Sequence, residues 1–170
     1  PEIAIRLVRK ALAVRPDLPG AAFNLAAALA AADRLGEAVA CYRQAIALAP
    51  ADGPAILNLG NQLHRSGDPA GAARCYRRAV ALRPDHAIAH CNLGNACHDL
   101  NRPDEAAACF ARAVACDPAD AESYNNLGLA WARLGRVAGG ARSLARASVR
   151  QSARVRMPLN RRPRSIACAT

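Results

Sequence analysis

One spacing, a step of 34 residues, constrains the fold of this chain more than any other feature. The triplet Asn-Leu-Gly recurs at residues 58–60, 92–94 and 126–128, with an altered copy, Asn-Leu-Ala, at 24–26. Two further sets of residues keep the same step, the prolines Pro16, Pro50, Pro84 and Pro118 and the alanines Ala45, Ala79 and Ala113. A period of this length indicates an array of stacked units that bury one another's faces.

Composition and local pattern favour helices within each unit. Alanine dominates the 52% hydrophobic fraction and aromatic residues make up only 4%, which suits closely packed helices better than strands. Each unit holds two apolar stripes at helical spacing. Between them, the turn at residues 66–69 supplies a glycine, an aspartate able to cap a helix and a proline able to begin one. The expected fold class is therefore all-α.

The repeat step also predicts how the chain is divided. We expect the second helix of a truncated repeat over residues 1–17, repeats over 18–50, 51–84, 85–118 and 119–151, and a basic tail over 152–170. The fourth repeat has a degenerate second helix, because Ser152 stands where the closing proline is expected. Since the chain opens on Pro1 rather than Met, we expect it to be a piece of a longer protein.

Three glycines lie inside predicted first helices, where each costs about 0.8–1 kcal/mol relative to alanine. They are Gly60, Gly94 and Gly128. Close approach of the paired helix offsets that cost, because a position without a side chain can admit a large one from opposite. The side chains expected to fill these places are Tyr76, Phe110 and Leu144.

The motif that these residues build resembles the tetratricopeptide repeat. Its pattern is matched by Leu59, Gly60, Leu63, Ala72, Tyr76, Ala79 and Pro84, and again one step later by Leu93, Gly94, Cys97, Ala106, Phe110, Ala113 and Pro118. The resemblance implies a right-handed superhelical solenoid of antiparallel helix pairs. It also implies a protein–protein interaction scaffold that binds a peptide or extended protein segment in its concave groove.

Polar side chains follow the exposed faces of the first helices and are the candidate peptide-binding residues. They are Asn24, Asn58, Asn61, Arg65, Asn92, Asn95, Asp99, Asn126 and Arg133. Asparagine is worse than alanine in a helix by up to about 0.7 kcal/mol, so its recurrence needs a reason. The amides either bond neighbouring helices or bind the backbone of an extended peptide, since each offers a donor and an acceptor. Both explanations remain open at this point.

The Asn-Leu-Gly repeats are also similar to those of O-linked N-acetylglucosamine transferases and related bacterial proteins. The resemblance implies an asparagine ladder that holds peptide backbones, here Asn24, Asn58, Asn92 and Asn126. One alternative function follows, that of a substrate-recognition segment for a glycosyltransferase or other transferase whose catalytic domain lies elsewhere. No catalytic motif or phosphate-binding loop occurs in these residues, so the chain itself is predicted not to be an enzyme and to need no cofactor.

Most of the net charge of +10 comes from the last 30 residues of the chain. Residues 1–140 hold 15 Lys and Arg against 13 Asp and Glu, whereas residues 141–170 hold eight arginines and no acid. If a helix continues there, Arg142, Arg146, Arg150 and Arg154 share one face. A second alternative is therefore binding of nucleic acid or an anionic surface, although the absence of aromatic residues after Trp131 disfavours nucleic acid.

The cysteines, the histidines and the length of the apolar runs indicate where the protein is located and whether it binds a metal. Seven cysteines without a CxxC pair suit a reducing compartment, so a cytoplasmic location is expected. No apolar run is long enough to span a membrane. His64 and His98 lie one repeat apart and His90 falls on a core stripe, so no metal site is predicted. Self-association through the exposed ends of the array is a further expectation.

Overall fold

A computed structural model describes residues 2–18 and 20–135. Within them all of the regular secondary structure is helical, and there is no strand. The helices are α1 Glu2–Val14, α2 Ala21–Ala31, α3 Leu35–Leu48, α4 Gly53–Arg65, α5 Pro69–Leu82, α6 Ala87–Asp99, α7 Pro103–Cys116 and α8 Ala121–Arg133. Each helix packs mainly on the helices that precede and follow it. This is the helical solenoid that the 34-residue step predicts, and the all-α fold class is confirmed.

The turns inside the repeats share one backbone device. The residue that follows a first helix and reverses the chain has a positive φ in four consecutive repeats: 58° at Asp33, 83° at Gly67, 56° at Asn101 and 67° at Gly135. Glycine, asparagine and aspartate are the residues that tolerate this conformation best. The residue type at this position therefore differs between repeats, whereas the left-handed backbone conformation is the same in all four.

Aspartates begin several helices. Asp68 accepts a hydrogen bond from the Gly71 backbone N–H at 2.7 Å, and Pro69 follows it as the first residue of α5, as the turn sequence predicts. Asp52 caps α4 in the same way, through Ala55 N–H at 3.0 Å. Such caps stabilise a helix by about 0.5–2 kcal/mol because they satisfy backbone donors that have no partner within the helix.

Two of the helical glycines admit aromatic rings, as expected. A Cβ atom at Gly60 would lie 2.6 Å from Tyr76 Cε1, and one at Gly94 would lie 2.6 Å from Phe110 Cε1. Both rings are 2% exposed. The residue expected opposite Gly128 is Leu144, which lies outside the described residues. The predicted arginine face at residues 142, 146, 150 and 154 lies outside them as well.

The outer face of α1 is apolar and uncovered. Ile3, Leu7 and Val14 are 69%, 59% and 81% exposed, and at about 100° per residue they fall on one stripe of the helix. The opposite face packs on α2 through Ile5, which is 2% exposed. Self-association through this end of the array stays a prediction.

Candidate functional site

A polar groove runs along the exposed faces of α4 and α6. Its volume is about 460 Å³, and it is lined by Asn61, Gln62, His64, Arg65, Tyr76, Asn92 and Asn95. At about 100° per residue, Asn61 and Arg65 lie on the side of α4 opposite Ile56, which is in the core. The helix therefore separates a face that makes the fold from a face that remains available to a ligand.

Two asparagine amides of neighbouring repeats bond each other in this groove. Asn92 Nδ2 donates to Asn61 Oδ1 at 3.0 Å, and the Tyr76 hydroxyl donates to the same oxygen at 2.9 Å. Burial raises the pKa of Tyr76, so its hydroxyl stays protonated and remains a donor. Because Tyr76 is itself fixed against Gly60, it holds the Asn61 amide in one orientation.

A second amide pair repeats this arrangement one step further along the array. Asn126 Nδ2 donates to Asn95 Oδ1 at 3.4 Å and lies 4.0 Å from Cys91 Sγ. In this repeat the position equivalent to Tyr76 is occupied by Phe110, which has no hydroxyl group. The second pair is therefore longer and lacks the bond that orients the first.

Each amide pair leaves one donor group and one acceptor group unused. In the first pair both lone pairs of Asn61 Oδ1 are occupied, whereas no hydrogen bond within the described chain uses Asn61 Nδ2 or Asn92 Oδ1. In the second pair the corresponding groups are Asn95 Nδ2 and Asn126 Oδ1. A donor beside an acceptor is the complement of the C=O and N–H groups of an extended backbone.

Polar contacts between consecutive repeats flank these amides. Arg65 bonds Asp33 at 2.8 Å, His64 Nε2 lies 2.7 Å from Asp99 Oδ2, and Arg133 lies 2.9 Å from His98 Nε2. All are partly or largely exposed, so each contributes at most about 1 kcal/mol. These contacts join consecutive repeats beside the groove.

The structure separates the predicted site residues into three situations. Asn61, Arg65, Asn92 and Asn95 share the groove, and Asn126, Asp99 and Arg133 contact its residues or their neighbours. Asn58 lies near the Tyr42 hydroxyl, and the first repeat has Ala27 where the next has Asn61. Asn24 is exposed, and its side chain makes no hydrogen bond within the described residues.

Three groove residues lie outside the set predicted from the sequence. These residues are His64, Gln62 and Tyr76, whose ring the repeat pattern predicts to lie in the core. His64 and His98 both reach the carboxylate of Asp99, at 2.7 and 3.5 Å. No three His, Cys, Asp or Glu side chains converge as a metal site within residues 2–18 and 20–135. In the same part of the chain, no helix is long and apolar enough to cross a bilayer.

Comparison with family models decides what kind of array this is. Two tetratricopeptide repeat models match, one at residues 57–121 and 99–154 and the other at residues 19–52. The chain belongs to the tetratricopeptide repeat family. The 34-residue step and the glycine–aromatic contacts are features of those repeats in this chain. A comparison with curated protein sequences gives no significant match.

Solved structures share the fold of this tetratricopeptide array at low sequence identity. A crystal structure of MamA has a TM-score of 0.87 at 19% identity, covering 90% of each chain. MamA residues 41 to the end from Desulfovibrio magneticus RS-1 have a TM-score of 0.84 at 20% identity, covering 89% of this chain and 86% of that one. YrrB, described as a TPR protein with an unusual peptide-binding site, has a TM-score of 0.80 at 23% identity, covering 89% and 78%.

Proposed function

We propose that this tetratricopeptide array is a protein-interaction scaffold that binds an extended protein segment in the groove along α4 and α6, with the segment continuing over Asn126 of α8. The observation that carries the proposal is the pair of unused groups left at each asparagine pair. Asn61 Nδ2 with Asn92 Oδ1, and Asn95 Nδ2 with Asn126 Oδ1, supply a donor and an acceptor in each of two successive amide pairs.

Bonding between neighbouring helices and binding of a peptide backbone use different groups of the same asparagine amides, so the two explanations of the asparagines are compatible. Each asparagine amide makes one hydrogen bond to the other amide of its pair, and this bond holds the unused donor and acceptor groups in a fixed direction. A ligand then meets an oriented donor and acceptor, which reduces the entropy lost when the contact forms. The structural bond between repeats is in this way the support for the proposed binding contact.

The spacing of the two pairs sets the length of segment that fits. Packed helices lie about 8–10 Å apart, and an extended chain advances about 3.3 Å per residue. Successive amide pairs would therefore meet backbone groups about three residues apart. Because amides bond the backbone, the proposed preference is for an extended conformation more than for particular side chains.

Binding of selected peptides to amide variants tests the proposal. A labelled extended peptide is first selected against the native protein from a random library, and its affinity is then measured for Asn61→Ala combined with Asn92→Ala. Losing two hydrogen bonds at about 0.5–1.5 kcal/mol each weakens binding by about 5- to 150-fold. Asn58→Ala with Asn92→Ala is a second double variant, which tests the ladder positions.

The matched control is Asn125→Ala, an exposed asparagine on α8 whose side chain has no hydrogen bond in the described part of the chain. It removes the same amide outside the groove and is expected to leave affinity unchanged. Equal affinity for the native protein and for Asn61→Ala with Asn92→Ala would remove the basis of the proposal.

A further inference from the structure

A second polar site lies on the opposite side of the array, at a junction between repeats where a recurring arginine–glutamate ion pair is missing. At two junctions between consecutive second helices, an arginine bonds a glutamate 28 residues later. Arg9 bonds Glu37 at 2.7 Å, and Arg77 bonds Glu105 at 2.9 Å. Arg43 occupies the same repeat position between them, but its expected partner position holds Gly71.

The local residues confirm that this junction is built differently. In the neighbouring repeats each glutamate also bonds an arginine three residues earlier, Arg34 at 2.6 Å and Arg102 at 3.4 Å. Here that place is taken by Asp68, which caps Gly71 N–H at 2.7 Å. An added Cβ at Gly71 would meet the Asp68 carboxylate in its present rotamer, so the carboxylate lies directly over the position that holds glutamate in the neighbouring repeats. Arg43 has no ion pair or hydrogen bond within the described residues.

Two further arginines surround the same place. Arg74 stands where the adjacent repeats have Ala40 and Ala108, and it too has no ion pair in the described part of the chain. Arg78 donates to the carbonyl of Pro50. Arg43, Arg74 and Arg78 border the same cavity as Cys75. Burial raises the pKa of the Cys75 thiol, and the three guanidinium groups partly oppose that increase.

These arginines border an outer groove rather than a flat surface. The outer groove has a volume of about 300 Å³, lies between α3, α4 and α5, and is lined by Arg43, Ile46, Ile56, Leu59, Arg74, Cys75 and Arg78. Ile56 and Leu59 lie on the face of α4 opposite Asn61. The outer groove is therefore separate from the groove of the proposed function.

We propose that the outer groove binds a glutamate or aspartate side chain of a partner protein, with an adjacent apolar side chain of the partner resting on the half-buried Ile46. The carboxylate would bond Arg43 and Arg74, in the way that Glu37 and Glu105 bond their arginines inside this chain. This inference does not depend on the proposed function.

Titration with two matched peptides tests the inference. The probes are capped Leu-Glu-Leu and capped Leu-Gln-Leu, followed through the NMR signals of the arginine Nε–H groups and the isoleucine methyl groups. We expect saturable shifts at Arg43, Arg74 and Ile46 with the glutamate peptide. Binding of the glutamine peptide should be about tenfold weaker or more, since hydrogen bonds to a charged group contribute about 1.5–3 kcal/mol.

Two variants and one control assign those shifts to the site. Arg74→Ala copies the neighbouring repeats and should weaken binding about tenfold, on the same scale for a charged hydrogen bond. Asp68→Arg with Gly71→Glu rebuilds the arginine–glutamate pattern of those repeats, so Arg43 becomes paired and binding should be lost while the helical circular dichroism is retained. Arg112→Ala, which removes an exposed arginine of α7, should change nothing.

Three results would overturn the inference. Equal binding of the two peptides would show that charge is not recognised. Tighter binding of inorganic phosphate than of the glutamate peptide would make the site one for phosphate groups. Absence of saturable shifts at Arg43 and Arg74 would show that the outer groove binds no acidic segment.

Discussion

Replacing Gly94 by alanine tests the packing on which each repeat depends. The new Cβ would lie 2.6, 2.7 and 2.9 Å from Cε1, Cδ1 and Cζ of Phe110. Phe110 is 2% exposed, so the ring lies inside a core that, like protein interiors in general, is closely packed. Alanine gains about 1 kcal/mol over glycine in a helix interior, whereas inserting a methyl group into a packed core costs about 1–3 kcal/mol.

Contact with three ring atoms places that cost at the upper end of the range, so the net loss expected for Gly94→Ala is about 2 kcal/mol. For a chain of this size, the loss corresponds to a decrease in melting temperature of about 4–8 °C. The assay is thermal and urea unfolding followed by far-ultraviolet circular dichroism.

A matched control makes this prediction specific. Gly36 lies in α3 and has nothing within 4 Å of an added Cβ, so Gly36→Ala should be neutral or stabilising by up to about 1 kcal/mol. Phe110→Leu, the residue type expected at this place in the fourth repeat, should recover part of the loss when combined with Gly94→Ala. Stabilisation by Gly94→Ala similar to that of Gly36→Ala would refute the close-approach explanation.

Three other predictions concern charge, thiol reactivity and association. Arg34, with Arg9 in addition, lowers the pKa of the Glu37 carboxyl, so its stabilisation is present above the ordinary pKa of 4.5 and is lost as pH falls through the lowered value. The melting temperatures of the native protein and Glu37→Gln should therefore differ at neutral pH and converge in acid; a constant difference would contradict this. Burial raises the pKa of the Cys109 thiol to about 12, so iodoacetamide should label Cys109 much more slowly in the folded protein than in urea, with Cys109→Ser as the control for assignment. If the apolar stripe of α1 drives self-association, Leu7→Glu should lower the mass measured by light scattering toward that of a monomer, whereas Leu82→Glu on α5 should not.

The fold could be predicted from the sequence because its determinants are local and repeated. The turn at residues 66–69, the glycine–aromatic contacts at Gly60 and Gly94, and the exposed face of α4 all follow from spacing along a single repeat. These features recur at one step, so each repeat supports the interpretation of the others.

The contacts within the site could not be predicted in the same way, because they join residues of different repeats. Asn61 and Asn92 are 31 residues apart, and only the stacking of α4 on α6 brings their amides to 3.0 Å. The repeat pattern predicts that the ring of Tyr76 lies in the core, but it does not indicate that the hydroxyl reaches the Asn61 amide. The unpaired state of Arg43 becomes visible only when the contacts of Arg9 and Arg77 are known.

The most direct test of the central claim is a comparison of backbone and side-chain changes in one bound peptide. The peptide selected against the native protein is remade with a single N-methyl group at each position and, separately, with alanine at each position, and the affinity of every version is measured. Binding through the amide pairs predicts that N-methylation weakens affinity by about tenfold at positions about three residues apart, while alanine substitution has small effects. Uniformly tolerated N-methylation, with affinity lost only on alanine substitution, would contradict the claim that the asparagines of this array bind a peptide backbone.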